Sequence, residues 1–406
     1  MAAGQAAMRG ARVILLEKKH MPARKLGITG KGRCNLTNTG ETQDFSQAFG
    51  DKYKFMRFSL GRFSNQDLIS FFHGLGLELI TERGGRVFPA AQEAGAVVRS
   101  LLDWIKGCGV EIRPDSQVKE IRLVNHRIQG VVVQDNSRES KFIEGDKIIL
   151  ATGGASYPAT GSAGDGYILA RELGHTIVSV YPALVPLETR GSMAQEMQGL
   201  SLRNVQAHIF IQGKKQASAF GEMLFTHFGI SGPIILSLSK TAVWALNQNQ
   251  KVKLVIDLKP AVSHSQIKSR IARVMHEKGK KKISNILKEF LPLKMIPVFL
   301  KHTGIDPDKR GSAVTSEEQK SLRLWCKELS MEICGHRSFE ESIVTTGGVK
   351  LAEVNPKTME SRKIKGLYFA GEILDIDADT GGYNLQAAFS TGWVAGNSAA
   401  LNNSGD

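Results

Sequence analysis

Apolar positions along the chain follow two different periods. Apolar residues have helical spacing over 66–79 and 94–109, and each stretch ends near a glycine, as helices commonly do. Residues 110–150 instead alternate with a period of two between turn residues, and end in the apolar run KIILATGG. The patterns predict helices, then a small β-meander that leads into a buried parallel strand.

The two ends of the chain carry patterns that belong to one domain. Residues 1–35 predict a helix, a strand ending at Glu17 and a glycine-rich loop, and a buried-strand pattern returns at 364–375 before a helix expected to begin near Tyr383 or Asn384. The middle of the chain differs. We therefore predict an α/β protein whose dinucleotide-binding domain is formed by residues 1–187 and by part of 338–406. Between these parts lie a β-rich insertion without helical period at 188–261 and a basic helical insertion at 262–337. The segment 338–406 is expected to begin with a return strand of the β-rich part.

Charge and cysteine content narrow the class of protein. The 406 residues include 53 Lys and Arg against 39 Asp and Glu, a net charge of +14, which suits a polyanionic partner such as RNA or a solvated lysine-rich surface. No apolar run reaches the roughly 20 residues that span a bilayer, so no membrane partner is predicted. The four cysteines are Cys34, Cys108, Cys326 and Cys334, and their spacing indicates neither a metal site nor a disulfide framework. A cytoplasmic location is therefore expected.

Three glycine-rich stretches follow predicted strands or precede a predicted helix. The loop ARKLGITGKGRCNLTN places three glycines among basic residues, which lets backbone N–H groups approach an anion such as a pyrophosphate. ATGG at 151–154 and the stretch FAGEILDIDADTGGYNLQAA provide two further places of this kind, and Glu17 at a strand end suits a ribose hydroxyl. Each stretch alone also fits an ordinary loop, but three at strand ends of one sheet predict a site for an extended dinucleotide.

Several longer strings resemble one known family. GKGRCNLTN, GGRVFP, ATGGASYPATGSAGDGY, GEMLFTHFGISGP and YFAGEILDIDADTGGYNLQAAFSTG are similar to the bacterial HI-type conserved flavoproteins, also called bile-acid-reductase-like flavoproteins. These strings extend from the first residues to the last thirty. The resemblance implies a glutathione-reductase-like Rossmann FAD-binding domain interrupted by a β-barrel and a helical insertion.

The resemblance also implies where the cofactor is held. It places Glu17 at the adenosine ribose, Val118 at the adenine, Glu372 at the ribityl chain and Asn384 at the flavin pyrimidine. One departure is Ala378, where the family has glycine beside the flavin. The full set of residues expected to bind FAD is Glu17, Lys18, Arg24, Lys25, Thr29, Gly30, Gly32, Arg33, Cys34, Asn35, Val118, Ala151, Thr152, Gly153, Gly154, Gly371, Glu372, Asp377, Gly381, Gly382, Tyr383, Asn384 and Leu385.

A second departure concerns the start of the chain. In the family, the helix AAGQAAMRG follows directly on the phosphate-binding pattern G-x-G-x-x-G, which would end just before Met1. We therefore expect either a start assigned to an internal methionine or a truncated gene product, whose activity is open.

The resemblance implies an oxidoreductase with FAD as cofactor and NADH or NADPH as a transient reductant. The expected reaction is reduction of an activated double bond in a small organic substrate. The alternatives are flavin-dependent reduction of a uridine in ribosomal RNA, which the charge of +14 also suits, and an amine or aminoketone oxidase. Catalytic candidates are Tyr157, His227 and Tyr383, for which ordinary structural roles are the competing interpretation. Oligomeric state is open.

Overall fold

The computed structural model of the protein describes residues 1–125, 127–135 and 139–401. The chain divides into two compact units. Unit 1 consists of Met1–Pro182 and Ser342–Asp406, and unit 2 is the insertion Ala183–Glu341. The insertion thus begins at 183 rather than at the predicted 188, and ends at 341 rather than 337.

The α-helices of the described residues lie in both units. They are α1 (Ala2–Met8), α2 (Arg24–Gly32), α3 (Thr42–Phe49), α4 (Tyr53–Arg62), α5 (Asn65–Gly74), α6 (Ala94–Gly107), α7 (Asp165–Glu172), α8 (Met193–Glu196), α9 (Pro233–Asn247), α10 (His264–Glu277), α11 (Ile283–Ile286), α12 (Met295–Thr303), α13 (Ser316–Glu328) and α14 (Tyr383–Ala400). None of the helices in these residues is both long and apolar enough to cross a bilayer.

The β-strands are mostly short. They are β1 (Ile14–Leu16), β2 (Thr37–Asn38), β3 (Leu79–Glu82), β4 (Arg86–Pro89), β5 (Glu111–Arg113), β6 (Gln117–Val124), β7 (Arg127–Gln134), β8 (Ser140–Glu144), β9 (Ile148–Leu150), β10 (Ile177–Ala183), β11 (Leu187–Thr189), β12 (Ser201–Ile211), β13 (Lys214–Phe225), β14 (Gly229–Ser231), β15 (Val252–Asp257), β16 (Leu329–His336), β17 (Val344–Val349) and β18 (Leu367–Phe369).

Unit 1 is built on parallel strand pairs. β1 pairs with β5, and β9 pairs with β18 in the register Ile149 to Tyr368. The predicted meander is present as the antiparallel sheet β6-β7-β8, and β9 is the predicted buried strand that ends in ATGG. Because β9 and β18 are parallel neighbours, their carboxyl ends bring residues 151–156 and 370–375 to the same edge.

The C-terminal helix α14 closes unit 1 against the beginning of the chain. It starts at Tyr383, as predicted, and packs on α1. Gly396 permits this contact, because a Cβ there would lie 2.3 Å from the carbonyl oxygen of Ala2. The last helix of unit 1 therefore depends on the first one for its packing.

Unit 2 is a closed barrel with the strand order β11-β14-β13-β12-β15-β16. Its closing strand β16 lies within the stretch 262–337, for which the sequence predicted helices. The 15-residue helix α9 corrects the expectation that 188–261 lacks helix, and it contacts β12, β13, β14, β15 and β16. Its buried residues do recur with helical spacing, but the exposed face also carries apolar side chains such as Trp244, 53% exposed, so the contrast between the two faces is weak in the sequence.

A buried histidine ties the segment 353–364 to the end of α7. His175 Nε2 lies 3.0 Å from Ser361 Oγ, and His175 Nδ1 lies 3.3 Å from Glu353 Oε2 without well-formed hydrogen-bond geometry. Glu353 also accepts the Thr176 N–H at 2.9 Å and pairs with Lys363 at 2.9 Å. Burial lowers the pKa of His175, with Glu353 opposing that shift. Burial alone would raise the pKa of Glu353, but Lys363 and Thr176 lower it to about 2.

We expect this cluster to make unit 1 acid-labile. In the unfolded chain Glu353 would take up a proton near its ordinary pKa of 4.5, whereas the folded protein resists protonation down to about 2, so stability is lost as the pH falls through that window. Replacing Glu353→Gln should therefore reduce the loss of unfolding free energy between about pH 5 and about pH 3 by on the order of 2 kcal/mol. Urea titrations at each pH measure it. Glu172→Gln, an exposed carboxylate, is the control, and equal pH slopes for wild type and E353Q would contradict the assignment.

Candidate functional site

Glu372 is the point at which four segments of unit 1 meet. Its Oε1 accepts the Thr345 N–H at 2.7 Å and the Ser156 hydroxyl at 3.1 Å, and its Oε2 pairs with the Lys25 ammonium. Lys25 also donates to Ser156 Oγ at 2.6 Å. The first turn of α2, the turn after β9, strand β17 and the turn after β18 are therefore joined at one carboxylate.

The backbone supports this meeting through close packing. Thr345 Oγ1 accepts the N–H groups of Ala155 and Ser156 at 2.9 and 3.1 Å. Gly154 is required beside it, since a Cβ at Gly154 would lie 2.5 Å from Thr345 Oγ1 and 3.1 Å from the Glu372 carboxyl carbon. Sequence reasoning gave Gly154 as a cofactor residue and missed Thr345 and Ser156. The signal available for them was the buried TTGG of β17 and the serine directly after ATGG.

Helical geometry breaks off inside α2 at Thr29, and the segment from Thr29 to Cys34 forms a loop with a run of left-handed backbone. Gly30, Lys31, Gly32 and Cys34 all have positive φ, at 58°, 59°, 82° and 61°. Successive left-handed residues turn their N–H groups toward a common side, where an anion or a polar ring edge can bind. Asn35 ends this run, and its buried side-chain oxygen Oδ1 has no hydrogen-bond partner in the described part of the chain.

Three residues of this loop already have partners or packing within the protein. Arg33 donates to Glu82 at 2.8 Å and to Gln92 at 2.7 Å, and its guanidinium lies 4.3 Å from the centre of the Phe88 ring. The Cys34 thiol is fully buried, which raises its pKa to about 11. A thiol held in this way is protonated at neutral pH and packs as a small apolar group, and Thr29 Oγ1 is bonded to the Leu26 carbonyl at 2.7 Å.

The first turn of α14 lies at the end of the third glycine-rich segment. Its first backbone N–H groups belong to Tyr383, Asn384 and Leu385, and no side chain caps them. The Asn384 side chain instead braces the preceding loop, accepting the Ala378 N–H and donating to its carbonyl, both at 2.9 Å. Gly382 lies so close to Thr37 that a Cβ would come within 2.4 Å of the Thr37 backbone. The N-terminus of an 18-residue helix is thus held open toward the 29–38 loop.

Asp377 and Gly371 complete this side of the site. Asp377 is buried and accepts a hydrogen bond from Thr346 Oγ1 at 2.7 Å. Gly371 begins the turn after β18 at a φ of 76°, which places Glu372 at the strand end. The loop between Glu372 and α14 is therefore anchored to β17.

A second group of predicted residues surrounds the turn before α7. The Glu17 carboxylate accepts the Lys19 N–H at 2.8 Å and lies beside Gly161, where a Cβ would be 3.7 Å from its Oε1. Burial raises the pKa of Glu17, and Lys18, Lys19 and Arg24 oppose the shift. Lys18 pairs with Asp165, the first residue of α7. Val118 follows Gln117 in β6, and the Gln117 amide donates to the same Asp165 at 3.4 Å.

The two groups are connected through the residues that follow Ala151 at the end of β9. A Cβ at Gly166, in α7, would lie 2.0 Å from Thr152 Oγ1, and one at Gly153 would lie 2.8 Å from Ser162 Oγ. The predicted residues thus form a band from Glu17 past Thr152 to Glu372. An extended group with a diphosphate in its middle would fit such a band.

The three catalytic candidates lie in different settings. Tyr157 precedes a short turn with a left-handed φ of 53°. Tyr383 packs edge-on against Phe45, with ring centres 5.0 Å apart, and burial raises its pKa, with Asp44 and Asp379 adding to the shift. His227 is exposed in unit 2, where its ring contacts Phe228.

Parallel strands from both ends of the chain, glycine turns at their carboxyl ends and an open helix N-terminus beside them define a Rossmann-type dinucleotide-binding fold. The chain belongs to the HI0933-like family, because the family model described as HI0933-like protein Rossmann domain matches residues 1–398. The fold and the family together indicate a flavin-dependent oxidoreductase that binds FAD.

Two relatives span nearly the whole chain. A 3-dehydro-bile acid delta(4,6)-reductase of Clostridium scindens is 32% identical over 390 residues, which cover 96% of this chain and 93% of the relative. A ribosomal RNA dihydrouridine synthase of Escherichia coli is 28% identical over 398 residues, covering 97% and 92%.

A solved structure shares the fold. The quinol-fumarate reductase solved with menaquinol molecules is similar at a TM-score of 0.51 and 15% identity, over 100% of this chain and 69% of that one.

FAD fits the residues present. The buried Asn35 oxygen without a partner and the uncapped N–H groups of α14 are complementary to a polar ring edge that both donates and accepts hydrogen bonds. Glu372, by contrast, has both carboxylate oxygens already bound by Thr345, Ser156 and Lys25. A hydroxyl group arriving at Glu372 would have to share an oxygen with these donors.

We expect Lys25→Met to weaken both the apoprotein and its hold on FAD. The substitution leaves the Glu372 carboxylate, only 18% exposed, without its cation, which costs about 1–3 kcal/mol for a pair of intermediate burial. Urea unfolding of the apoprotein measures this loss, and fluorescence titration with FAD should show at least about tenfold weaker binding.

Two variants control this experiment. Lys54→Met removes an exposed cation from α4, outside the cofactor segments, and should change neither quantity appreciably. The double variant K25M/E372Q should regain part of the lost stability, because the uncompensated charge is gone. If K25M matched K54M in both measurements, the ion pair would not organise the site.

Proposed function

We propose that the protein is an FAD-dependent reductase that takes electrons from NADH or NADPH and saturates an activated carbon–carbon double bond of a small organic substrate. The observation that carries the proposal is the convergence of the predicted cofactor segments on Glu372. The Clostridium scindens relative, named as a reductase of a 3-dehydro-bile acid, supports the reaction class. We also propose a cytoplasmic location, which the free thiols of the four cysteines support.

The chain's residues would divide the work of holding the cofactor. FAD supplies two-electron transfer when bound. Glu17 and Lys18 would bind its adenosine end, the positive-φ loop and α14 would bind the flavin end, and Lys25 would hold the Glu372 carboxylate in place between them. Arg33 would act indirectly, by fixing the loop through Glu82 and Gln92.

Saturation of a double bond also needs a proton at the second carbon. Tyr383 is a candidate donor because it is the first residue of α14, beside the loop that would hold the flavin end. Tyr157 and His227 are the other candidates that we propose. Replacing Tyr383→Phe removes the hydroxyl and preserves the ring contact with Phe45. If Tyr383 donates the proton, this change should lower turnover by roughly 100-fold or more without weakening FAD binding.

Anaerobic mixing tests the reductase proposal directly. The protein loaded with FAD is mixed with NADH or NADPH, and the flavin absorbance near 450 nm is expected to bleach with one of them. Addition of an enone substrate should then restore the absorbance. Absence of bleaching with either nucleotide would refute the reductase, and peroxide formation with an amine donor in air would establish the oxidase alternative.

A second candidate is the reduction of a uridine in ribosomal RNA by the same flavin chemistry. The observation that favours it is the charge of unit 2: residues 183–341 contain 24 Lys and Arg against 14 Asp and Glu, so this insertion holds +10 of the net +14. The relative from Escherichia coli is named as a ribosomal RNA dihydrouridine synthase.

Mass spectrometry of RNA distinguishes the two substrates. Ribosomal RNA lacking the modification is incubated with the FAD-loaded protein and NADPH, then digested to nucleosides. We expect a gain of two hydrogen atoms on a uridine if RNA is the substrate. Unchanged uridine, together with reduction of small enones at the same enzyme concentration, would exclude this candidate.

A further inference from the structure

The positive charge of unit 2 includes a compact cluster on the barrel. Lys214 and Lys215 begin β13, directly after the tight turn at Gln212, and Lys251 and Lys253 lie at the start of β15. Phe210 of β12 is the cross-strand partner of both Lys215 and Lys253, and the Gln212 N–H donates to the Lys251 carbonyl at 3.0 Å. The four lysines therefore surround one end of β12.

Three of the four lysines lie on the outer face of the barrel. Ile211 and Val252, which alternate with Phe210 and Lys253, are buried inside, so Lys215, Lys251 and Lys253 point outward. Lys214, the register partner of Ile211, is exposed beside them at the end of the strand. None of the four forms an ion pair with a carboxylate of residues 1–125, 127–135 or 139–401. The neighbouring carboxylates are already paired, Glu332 with Arg190 at 3.3 Å and Asp257 with Lys327 at 2.6 Å.

Aromatic side chains share this outer face with the lysines. Phe210 is partly exposed between Lys215 and Lys253, and Phe220 of β13 is 60% exposed opposite Gln206. Gln206, the partner of Phe220, and Phe210 are four positions apart along β12, which corresponds to about 13 Å at roughly 3.3 Å per residue. An exposed phenylalanine on a polar sheet is unfavourable in water, but it gives a base a surface on which to stack.

We propose that the outer face of β12, β13 and β15 binds single-stranded RNA, with the four lysines at its phosphates and Phe220 under a base. The assignment rests on the RNA candidate advanced above and adds the surface that would hold the strand. Unpaired cations at the spacing of a sheet favour a polyanion, and the exposed rings favour one with unstacked bases over a duplex or a lipid surface.

Salt dependence of binding tests the surface. The probe is a fluorescent oligouridylate of about 12 nucleotides, within the length that small barrels cover, titrated with the FAD-loaded full chain at several salt concentrations. The test variant carries Lys214→Gln, Lys215→Gln, Lys251→Gln and Lys253→Gln. Each lost phosphate contact should reduce the slope of log K against log salt by about 0.7, or about 3 in all.

A charge-matched variant separates this surface from general attraction. Lys268→Gln, Lys280→Gln, Lys281→Gln and Lys288→Gln remove the same charge from exposed positions on α10 and in the segment 280–288 that follows it, and should leave most of the slope intact. Equal losses in both variants would overturn the assignment. Thermal unfolding confirms that both variants fold.

Two further arms test the kind of ligand. Phe220→Ala should weaken binding of the oligouridylate by roughly tenfold and leave binding of inorganic polyphosphate unchanged. A similar loss for both ligands would refute stacking. Vesicles containing phosphatidylserine are expected to bind weakly, and tighter binding to them than to the oligonucleotide would overturn the choice of RNA.

The flavin assay distinguishes failure of the RNA-binding surface from failure of the proposed reductase function. The lysine variants should still be bleached by NADPH at the wild-type rate, because the substitutions lie outside the cofactor segments. Normal bleaching with unchanged RNA binding would refute the surface alone. Loss of bleaching in the wild type would refute the reductase and leave the binding measurement valid.

Discussion

A carboxylate that is largely withdrawn from water must be met by donors or a cation, and this requirement at Glu372 organises unit 1. Its oxygens accept hydrogen bonds from Thr345 and Ser156 and form an ion pair with Lys25, and these three partners come from different segments. Because each donor comes from a separate part of the chain, the carboxylate can be satisfied only when all of them have reached their native positions. The contacts that satisfy the Glu372 carboxylate therefore also position the segments that would bind the cofactor.

The absence of side chains at a few glycines allows this arrangement to be compact. Gly154 lets Thr345 and Glu372 approach the turn after β9, and Gly382 lets α14 begin against Thr37. A methyl group at either position would overlap atoms that cannot move independently, so these glycines serve packing before they serve a ligand. The site can therefore be lost through packing without any change to a residue that touches the cofactor.

Sequence patterns predicted the elements that repeat a simple physical rule. The strand before ATGG and the start of α14 at Tyr383 followed from apolar runs bounded by glycine. Helix α9 was not predicted because its exposed face carries apolar side chains such as Trp244, which weakens the contrast between its two faces in the sequence. Thr345 was not predicted as a site residue, because the sequence of a strand does not indicate which group an uncharged side chain or its backbone N–H will bind. Arg33 was expected at a phosphate, but only the fold could show that Glu82 and Gln92 already hold it.

The pairing of β10 with β17 means that unit 2 leaves and re-enters unit 1 through adjacent strands. On the ribosome, unit 2 can form as soon as residue 341 has emerged, because all of its strands are then present. Unit 1 has no such freedom: its helix α1 needs α14, and Lys25 needs Glu372. The residues of unit 1 that precede unit 2 are thus synthesised before it but can reach their final packing only after α14 has been added.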